Sequence, residues 1–183
     1  MNEVFAHVYA VDGRSVMALM DLHLPLPPYG SLVCVGARRI HAIIADAKTK
    51  ANKPSGASGL GTDHELREED YFESHQVELT LLSLVGTYGI SSGDLVELMR
   101  DTEIQEFSFD MRFIRTILEL DWANTDDLLV NCIRRISNVY PDPDSFLLRV
   151  AEQVGRCLSK NVSRAEKIKA RTRPHEHVTR KPF

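Results

Sequence analysis

The sequence lacks the features of a secreted, disulfide-bonded or membrane-spanning protein. Its three cysteines, Cys34, Cys132 and Cys157, are far apart and have no paired spacing, so neither a disulfide framework nor a zinc site is predicted. No stretch comes near the roughly 18 apolar residues of a transmembrane helix, so no membrane association is expected. The start MNEVFAHVYAV has neither the basic segment nor the long apolar run of a signal peptide. We therefore expect a cytoplasmic protein.

Enzyme motifs are also missing. The sequence contains no Walker loop, no GxSxG and no HExxH, and its seven histidines are dispersed. Cys34 stands in an apolar segment, which is typical of an inert buried thiol. The sequence therefore predicts a protein that is not an enzyme and that has no cofactor and no metal site.

Charge is distributed very unevenly. The net charge is only -4, yet residues 63–152 contain 20 acidic and 7 basic side chains, whereas residues 153–183 contain 2 acidic and 9 basic ones. A basic tail behind an acidic body predicts either a polyanionic partner or an intramolecular charge clamp.

Hydrophobic spacing predicts an α+β fold that is mainly helical. Residues 1–53 read as a small α+β unit, with strands EVFAHVYAV and SLVCV and helices SVMALMDLHL and ARRIHAIIADAKTKA. Residues 54–63 are rich in glycine and serine, which predicts a flexible linker or loop. Residues 64–159 are predicted to form a helical domain that begins with a long helix from Glu65 to Val85, and residues 160–183 a basic tail.

The segment 104–136 predicts a strand followed by two helices. IQEFSFDM places apolar residues largely one apart, whereas RFIRTILELDW and NTDDLLVNCIRRI have helical spacing, with Asn124 or Thr125 as N-cap. A single short strand leaves its backbone edges unpaired. The simplest partner is the same strand of a second copy, which predicts a homodimer. The alternative is an ordinary strand–helix–helix segment of a core.

This segment resembles the ribbon-helix-helix family of bacterial and phage DNA-binding regulators. The resemblance implies a dimer core in which two strands form an antiparallel ribbon that enters the major groove, with Phe107, Phe109 and Met111 facing the core. It further implies base reading by the alternate positions of the strand, which are Glu106, Ser108 and Asp110. The amides around Thr125 would grip a phosphate at the start of the second helix.

Other candidate phosphate contacts come from elsewhere in the chain. SLVCVGARRIHAIIADA is similar to the strand–Gly–Arg–Arg–helix box of ParB and sulfiredoxin-like proteins, which implies an anion site at Arg38 and Arg39. Lys48 and Lys50 extend this basic face. The tail adds cations at near-helical spacing, and segments of this kind track phosphates without reading sequence. These are Lys160, Arg164, Lys167, Lys169, Arg171 and Arg173.

Together these patterns predict a homodimeric, sequence-specific regulator of transcription that binds double-stranded DNA, of bacterial, plasmid or phage origin. One alternative is an adaptor or inhibitor that presents the acidic segment, residues 63–152, to a protein partner. Another is a ParB-like nucleotide-binding protein or nuclease that uses the box at Gly36, Arg38 and Arg39.

Overall fold

The chain folds into two compact units, Met1–Arg100 and Asp101–Phe183. The computed structural model describes the following residues: 4–20, 23–52, 72–82, 89–120 and 124–173. The first unit is a β-barrel and the second is built of helices. The predicted linker, residues 54–63, lies outside the described residues.

The first unit is a closed barrel of six antiparallel strands. In chain order these are β1 (Val4–Asp12), β2 (Ser15–Met20), β3 (Leu32–Val35), β4 (Ile40–Asn52), β5 (Phe72–Leu81) and β6 (Leu95–Leu98). Their order around the barrel is β1-β2-β5-β4-β3-β6, with β6 pairing back onto β1. Because the sheet closes on itself, each of these strands pairs with two neighbours within the chain, so closure needs no strand from a second copy.

The core of the barrel combines small and large apolar side chains. Ala6, Ala18 and Ala42 are fully buried in the core cluster, together with larger residues such as Val16 and Leu79. The interior of a small barrel has room for little more than packed side chains, so alanine at several inward positions suits closure. β2 shows the alternation directly, because Val16, Ala18 and Met20 are buried and the residues between them are half-buried.

The predicted helices of the N-terminal unit are wrong. SVMALM forms β2, and most of the predicted helix ARRIHAIIADAKTKA forms β4. Ile40, Ile43 and Ile44 fit a helical period, but Ile40, Ala42 and Ile44 fit a period of two, and β-branched isoleucine favours a strand. The long helix predicted from Glu65 to Val85 is also wrong, because Phe72–Leu81 is β5.

The second unit contains five helices. These are α1 (Asp101–Ser108), α2 (Arg112–Leu118), α3 (Thr125–Ser137), α4 (Pro143–Cys157) and α5 (Val162–Thr172). α4 begins with an N-cap: Asp142 accepts a hydrogen bond from the Ser145 amide, and Pro143 occupies the first turn. The core of this unit consists of large buried side chains at helical spacing. They include Ile114, Ile117, Leu128, Leu129, Ile133, Ile136, Phe146, Val150 and Val154.

The predicted ribbon-helix-helix dimer core is contradicted. The segment expected to be its strand forms α1 and the turn that follows, since Ser108 is buried and donates a hydrogen bond to the carbonyl of Ile104, one helical turn earlier. Ile104 and Ser108 are therefore related by the period of a helix, not by that of a strand. The two helices predicted after the strand are present as α2 and α3. Among the described residues, no helix is long and apolar enough to cross a membrane.

Candidate nucleic-acid interface

The basic tail of the sequence begins as a docked helix. α5 packs through a narrow stripe of buried residues, Ala165, Ile168 and Thr172, at helical spacing. Its start is capped by Asn161, whose side chain accepts a hydrogen bond from the Arg164 amide. The packing of this stripe orients the charged residues on either side of it.

Four cations run along one side of α5. Arg164, Lys167 and Arg171 follow one another at intervals of three and four residues, and Lys160 lies just before the helix. We call these four residues the basic stripe. Arg164 and Arg171 are about 10 Å apart along the helix axis, at 1.5 Å per residue. Among the described residues, Lys160 and Lys167 form no ion pair.

The two arginines of the stripe contact the first turn of α3. Arg164 Nη2 lies 2.6 Å from Asp126 Oδ1, and Arg171 Nη2 lies 2.5 Å from Asp127 Oδ1. About a third of each side chain is exposed in the first pair, and about half in the second. Arg134 of α3 adds a further link by donating two hydrogen bonds to the Arg171 carbonyl. This arrangement is the intramolecular charge clamp that the charge distribution suggested as one possibility.

The clamp occupies the position proposed for a phosphate. Thr125 is buried, and its hydroxyl donates to the Leu120 carbonyl, so this side chain holds the start of α3 in place. Asp126 and Asp127 surround the same helix terminus with negative charge. Carboxylates there are favourable for the helix dipole but unfavourable neighbours for a phosphate.

The three predicted base-reading residues do not share one face. Glu106 is exposed on α1, whereas Ser108 is buried, with its hydroxyl 2.9 Å from that of Tyr140. Asp110 lies in the turn before α2 and accepts a hydrogen bond from the Arg112 amide. These positions belong to a helix and a turn, so their side chains do not alternate as the prediction of base reading required.

Arg38 and Arg39 lie in a hairpin turn at one end of the barrel. The Arg39 amide bonds to the Gly36 carbonyl, which closes the turn between β3 and β4. Arg39 Nη1 forms an ion pair with Glu97 at 2.7 Å, and the exposed Arg38 side chain lies across Gly89. The ParB-like anion site needs a helix after this box, but a strand follows instead.

The remaining predicted cations differ in environment. Lys48 and Lys50 belong to β4, and their side chains are outside the described part of the chain. Lys169 pairs with Glu166 at 2.9 Å, and Arg173 is exposed at the end of α5. Lys169 lies on the other side of α5 from the basic stripe, since its ammonium is close to Gly155 of α4.

Cys132 is a buried thiol of α3. Burial raises the pKa of the Cys132 thiol well above its usual range, and nearby Arg135 opposes only part of that effect. The thiol is therefore neutral at physiological pH and packs as an apolar group. Among the described residues, no group of three or more His, Cys, Asp or Glu side chains is placed to hold a metal ion.

A groove between α3, α4 and α5 was not predicted from the sequence. It is lined in part by Arg134 and Leu148, and neither residue was predicted to contact a ligand. One signal was available: Leu148 is apolar but lies off the buried face of α4 that Phe146, Val150 and Val154 define.

Comparison of the chain with protein-family models and with curated proteins finds no match.

Proposed function

We propose that this protein binds double-stranded DNA through the phosphate backbone, using the basic stripe on α5. The observation that carries the proposal is the spacing of Arg164, Lys167 and Arg171 along one side of a packed helix, with Lys160 directly before it. Docking through Ala165, Ile168 and Thr172 orders this helix before any ligand binds, which lowers the entropic cost of binding.

The dimensions of the stripe suit a duplex. Each strand of double-stranded DNA carries one charge per about 3.4 Å of the duplex axis, so the 10 Å between Arg164 and Arg171 corresponds to about three phosphates of one strand. Lysine and arginine side chains are long enough to follow the backbone without reading bases. The affinity would therefore come mainly from counterion release.

The carboxylates of α3 reduce this attraction without abolishing it. The four cations of the stripe and the two acids Asp126 and Asp127 leave a net positive charge. Partly exposed ion pairs of this kind contribute only up to about 1 kcal/mol each, so exchanging a carboxylate for a phosphate costs little. The acids also hold Arg164 and Arg171 in defined positions.

The proposal does not include sequence-specific regulation by a dimer. Both expectations rested on a paired ribbon, and the segment that should have formed it is α1. The adaptor alternative stays a prediction, and 6 of the 20 acidic residues of the segment 63–152 lie outside the described residues.

A binding assay over a salt series tests the proposal. We would measure the anisotropy of a fluorescent duplex with the full chain and with the variants Lys160→Ala and Lys167→Ala. Each variant should bind the duplex more weakly. The plot of the log of the association constant against log salt should also become less steep, by about 1, because one phosphate contact is lost. Arg112→Ala is the control, since Arg112 is a highly exposed cation on a different helix, α2, where it pairs with Asp110 at 2.9 Å.

Two results would contradict the proposal. One is the absence of binding to the duplex even at low ionic strength. The other is an Arg112→Ala variant that weakens binding as much as the two lysine variants, which would indicate a general charge effect with no role for the stripe.

A further inference from the structure

A continuous groove runs along the side of α5 that faces away from the basic stripe. Two adjoining hollows, of about 540 Å³ and about 220 Å³, share four lining residues, Asp144, Leu147, Thr172 and Arg173. We call this feature the α4–α5 groove. Its larger end also reaches Arg134, Ser137 and Asn138 at the end of α3.

One wall of the groove is apolar. Leu147, Leu148 and Ala151 of α4 line it, and Leu148 is 66% exposed. Lys169 of α5 borders this wall, because only 23% of its side chain is exposed and its ammonium lies close to Gly155 of α4.

The opposite wall is basic. Arg134, Lys169 and Arg173 bring three positive charges to the groove, and Asp144 is the one carboxylate among its described lining residues. Lys169 also pairs with Glu166, which stands outside the lining. An apolar wall facing a basic wall is the complement of a ligand that carries both apolar and acidic groups.

We propose that the α4–α5 groove docks an amphipathic acidic segment of a partner protein. Its apolar side chains would cover Leu147, Leu148 and Ala151, and its carboxylates would meet Arg134, Lys169 and Arg173. The apolar wall extends from Leu147 to Ala151, and with Asp144 the groove follows about 10 Å of α4, which matches two turns of a docked helix. Binding of this kind goes beyond the proposed contact with DNA and uses a different side of α5.

The apolar wall is what distinguishes a peptide from a nucleic acid. A phosphate backbone would gain from Arg173 but not from burial of Leu148, whereas an amphipathic peptide gains from both. Removing the exposed leucine therefore separates the two ligand classes. Leu148 has little to do with folding, because most of its surface is already in water.

Fluorescence anisotropy with synthetic peptides tests the inference on the full chain. The probe is a labelled peptide of about 14 residues with leucines on one helical face and glutamates on the other. One control peptide replaces the glutamates with lysines, and a second replaces the leucines with serines. The protein variants are Leu148→Ser and Arg173→Ala, with Lys167→Ala on the basic stripe as the matched control.

The acidic amphipathic probe should bind, and both control peptides should bind at least about tenfold more weakly, the equivalent of 1.4 kcal/mol. Leu148→Ser and Arg173→Ala should each weaken the probe several-fold, whereas Lys167→Ala should leave its affinity unchanged. Thermal melts of all variants check that they fold like the wild type.

Three outcomes would overturn the inference. The probe does not bind, or it binds the Leu148→Ser variant as tightly as the wild type, or the lysine peptide binds equally well. Loss of DNA binding in Arg173→Ala, with the probe unaffected by Leu148→Ser, would assign the groove to a polyanion. None of these results bears on Lys160 and Lys167, so failure here is distinguishable from failure of the proposed DNA contact.

Discussion

Arg164 of α5 and Asp126 in the first turn of α3 are joined by two hydrogen bonds to one oxygen. Arg164 Nε lies 2.8 Å and Nη2 2.6 Å from Asp126 Oδ1. Arg171 makes a second link one residue further along α3, at Asp127. α5 is therefore held to α3 at two points along its length, in addition to its buried stripe.

We predict a measurable coupling between Arg164 and Asp126. A double-mutant cycle with Arg164→Ala and Asp126→Ala should give a coupling energy of about 0.5 to 1 kcal/mol, since both side chains are partly buried and the contacts are short. Urea unfolding at low and high salt is the measurement, and salt should reduce the coupling. The pair Arg156–Glu152 is the control, because it is longer, at 3.7 Å, and more exposed. Equal couplings for the two pairs would show that the clamp has no special stabilising role.

We predict that Gly36→Ala destabilises the protein more than Gly13→Ala. Both glycines have positive φ, 66° and 56°, so alanine at either position costs about 1 kcal/mol in backbone strain. At Gly36 the added Cβ would also lie 2.9 Å from Asp94 Oδ2, which accepts a hydrogen bond from the Ser91 amide, whereas Gly13 has open space. Moving Asp94 would weaken that bond, so the loss at Gly36 should be about 2 kcal/mol by urea unfolding. Similar losses for the two variants would exclude the contact with Asp94 as a cause.

We predict that Tyr9 ionises above the usual tyrosine range. Burial raises the pKa of Tyr9 above 10.0, and the negative charge of Glu78 raises it further. The raised pKa adds to the free energy of unfolding, and this addition is complete below the pKa that Tyr9 has in the unfolded chain. It is lost as the pH rises from there through the pKa of the folded protein, because the unfolded chain releases the proton first. Ultraviolet difference titration of the wild type against Tyr9→Phe measures this pKa. Glu78→Gln should move the pKa towards 10 without reaching it, and the glutamine can still accept the bond from Ser15. A Tyr9 pKa at or below 10 in the wild type would contradict the prediction.

The helices of the second unit could largely be predicted from spacing alone. Leu128, Leu129 and Ile133 in α3 recur at the period of a helix, and all are fully buried. In α4, Phe146 and Val150 are also buried and four residues apart, and they follow the aspartate and the proline at which the helix starts. Amphipathic helices bury one stripe each, so the pattern is visible in a single segment.

The barrel could not be predicted in the same way. Ile40, Ile43 and Ile44 satisfy a helical period, and Ile40, Ala42 and Ile44 satisfy the period of a strand. Ile43 and Ile44 are both fully buried although they are consecutive. Where both sides of a strand are covered, the alternation that identifies it disappears. Pairing of β4 with β3 across a hairpin turn, and with β5 from a more distant part of the chain, decides between the two conformations.

Around Ser108 the sequence pattern predicted a strand where the structure has a helix and a turn. Phe107, Phe109 and Met111 alternate as in a strand, yet Phe109 is 73% exposed and Met111 is buried at the start of α2. The hydroxyl of Ser108 is buried next to that of Tyr140, although the alternating pattern of apolar residues placed Ser108 on the exposed face of a strand. A serine carries no hydrophobic signal, so its burial could not be read from the pattern.

The sequence by itself determined the apolar faces of α3 and α4, the segregation of charge, and the helical spacing of the basic residues after Asn161. These are local properties, because each follows from the order of residues within one segment. Only the tertiary structure decided that Arg164 and Arg171 meet Asp126 and Asp127, that six strands close into a barrel, and that Leu148 borders a basic groove. Those relationships join residues that are far apart in the chain, and their partners are selected by packing and closure of the whole unit, which no local period encodes.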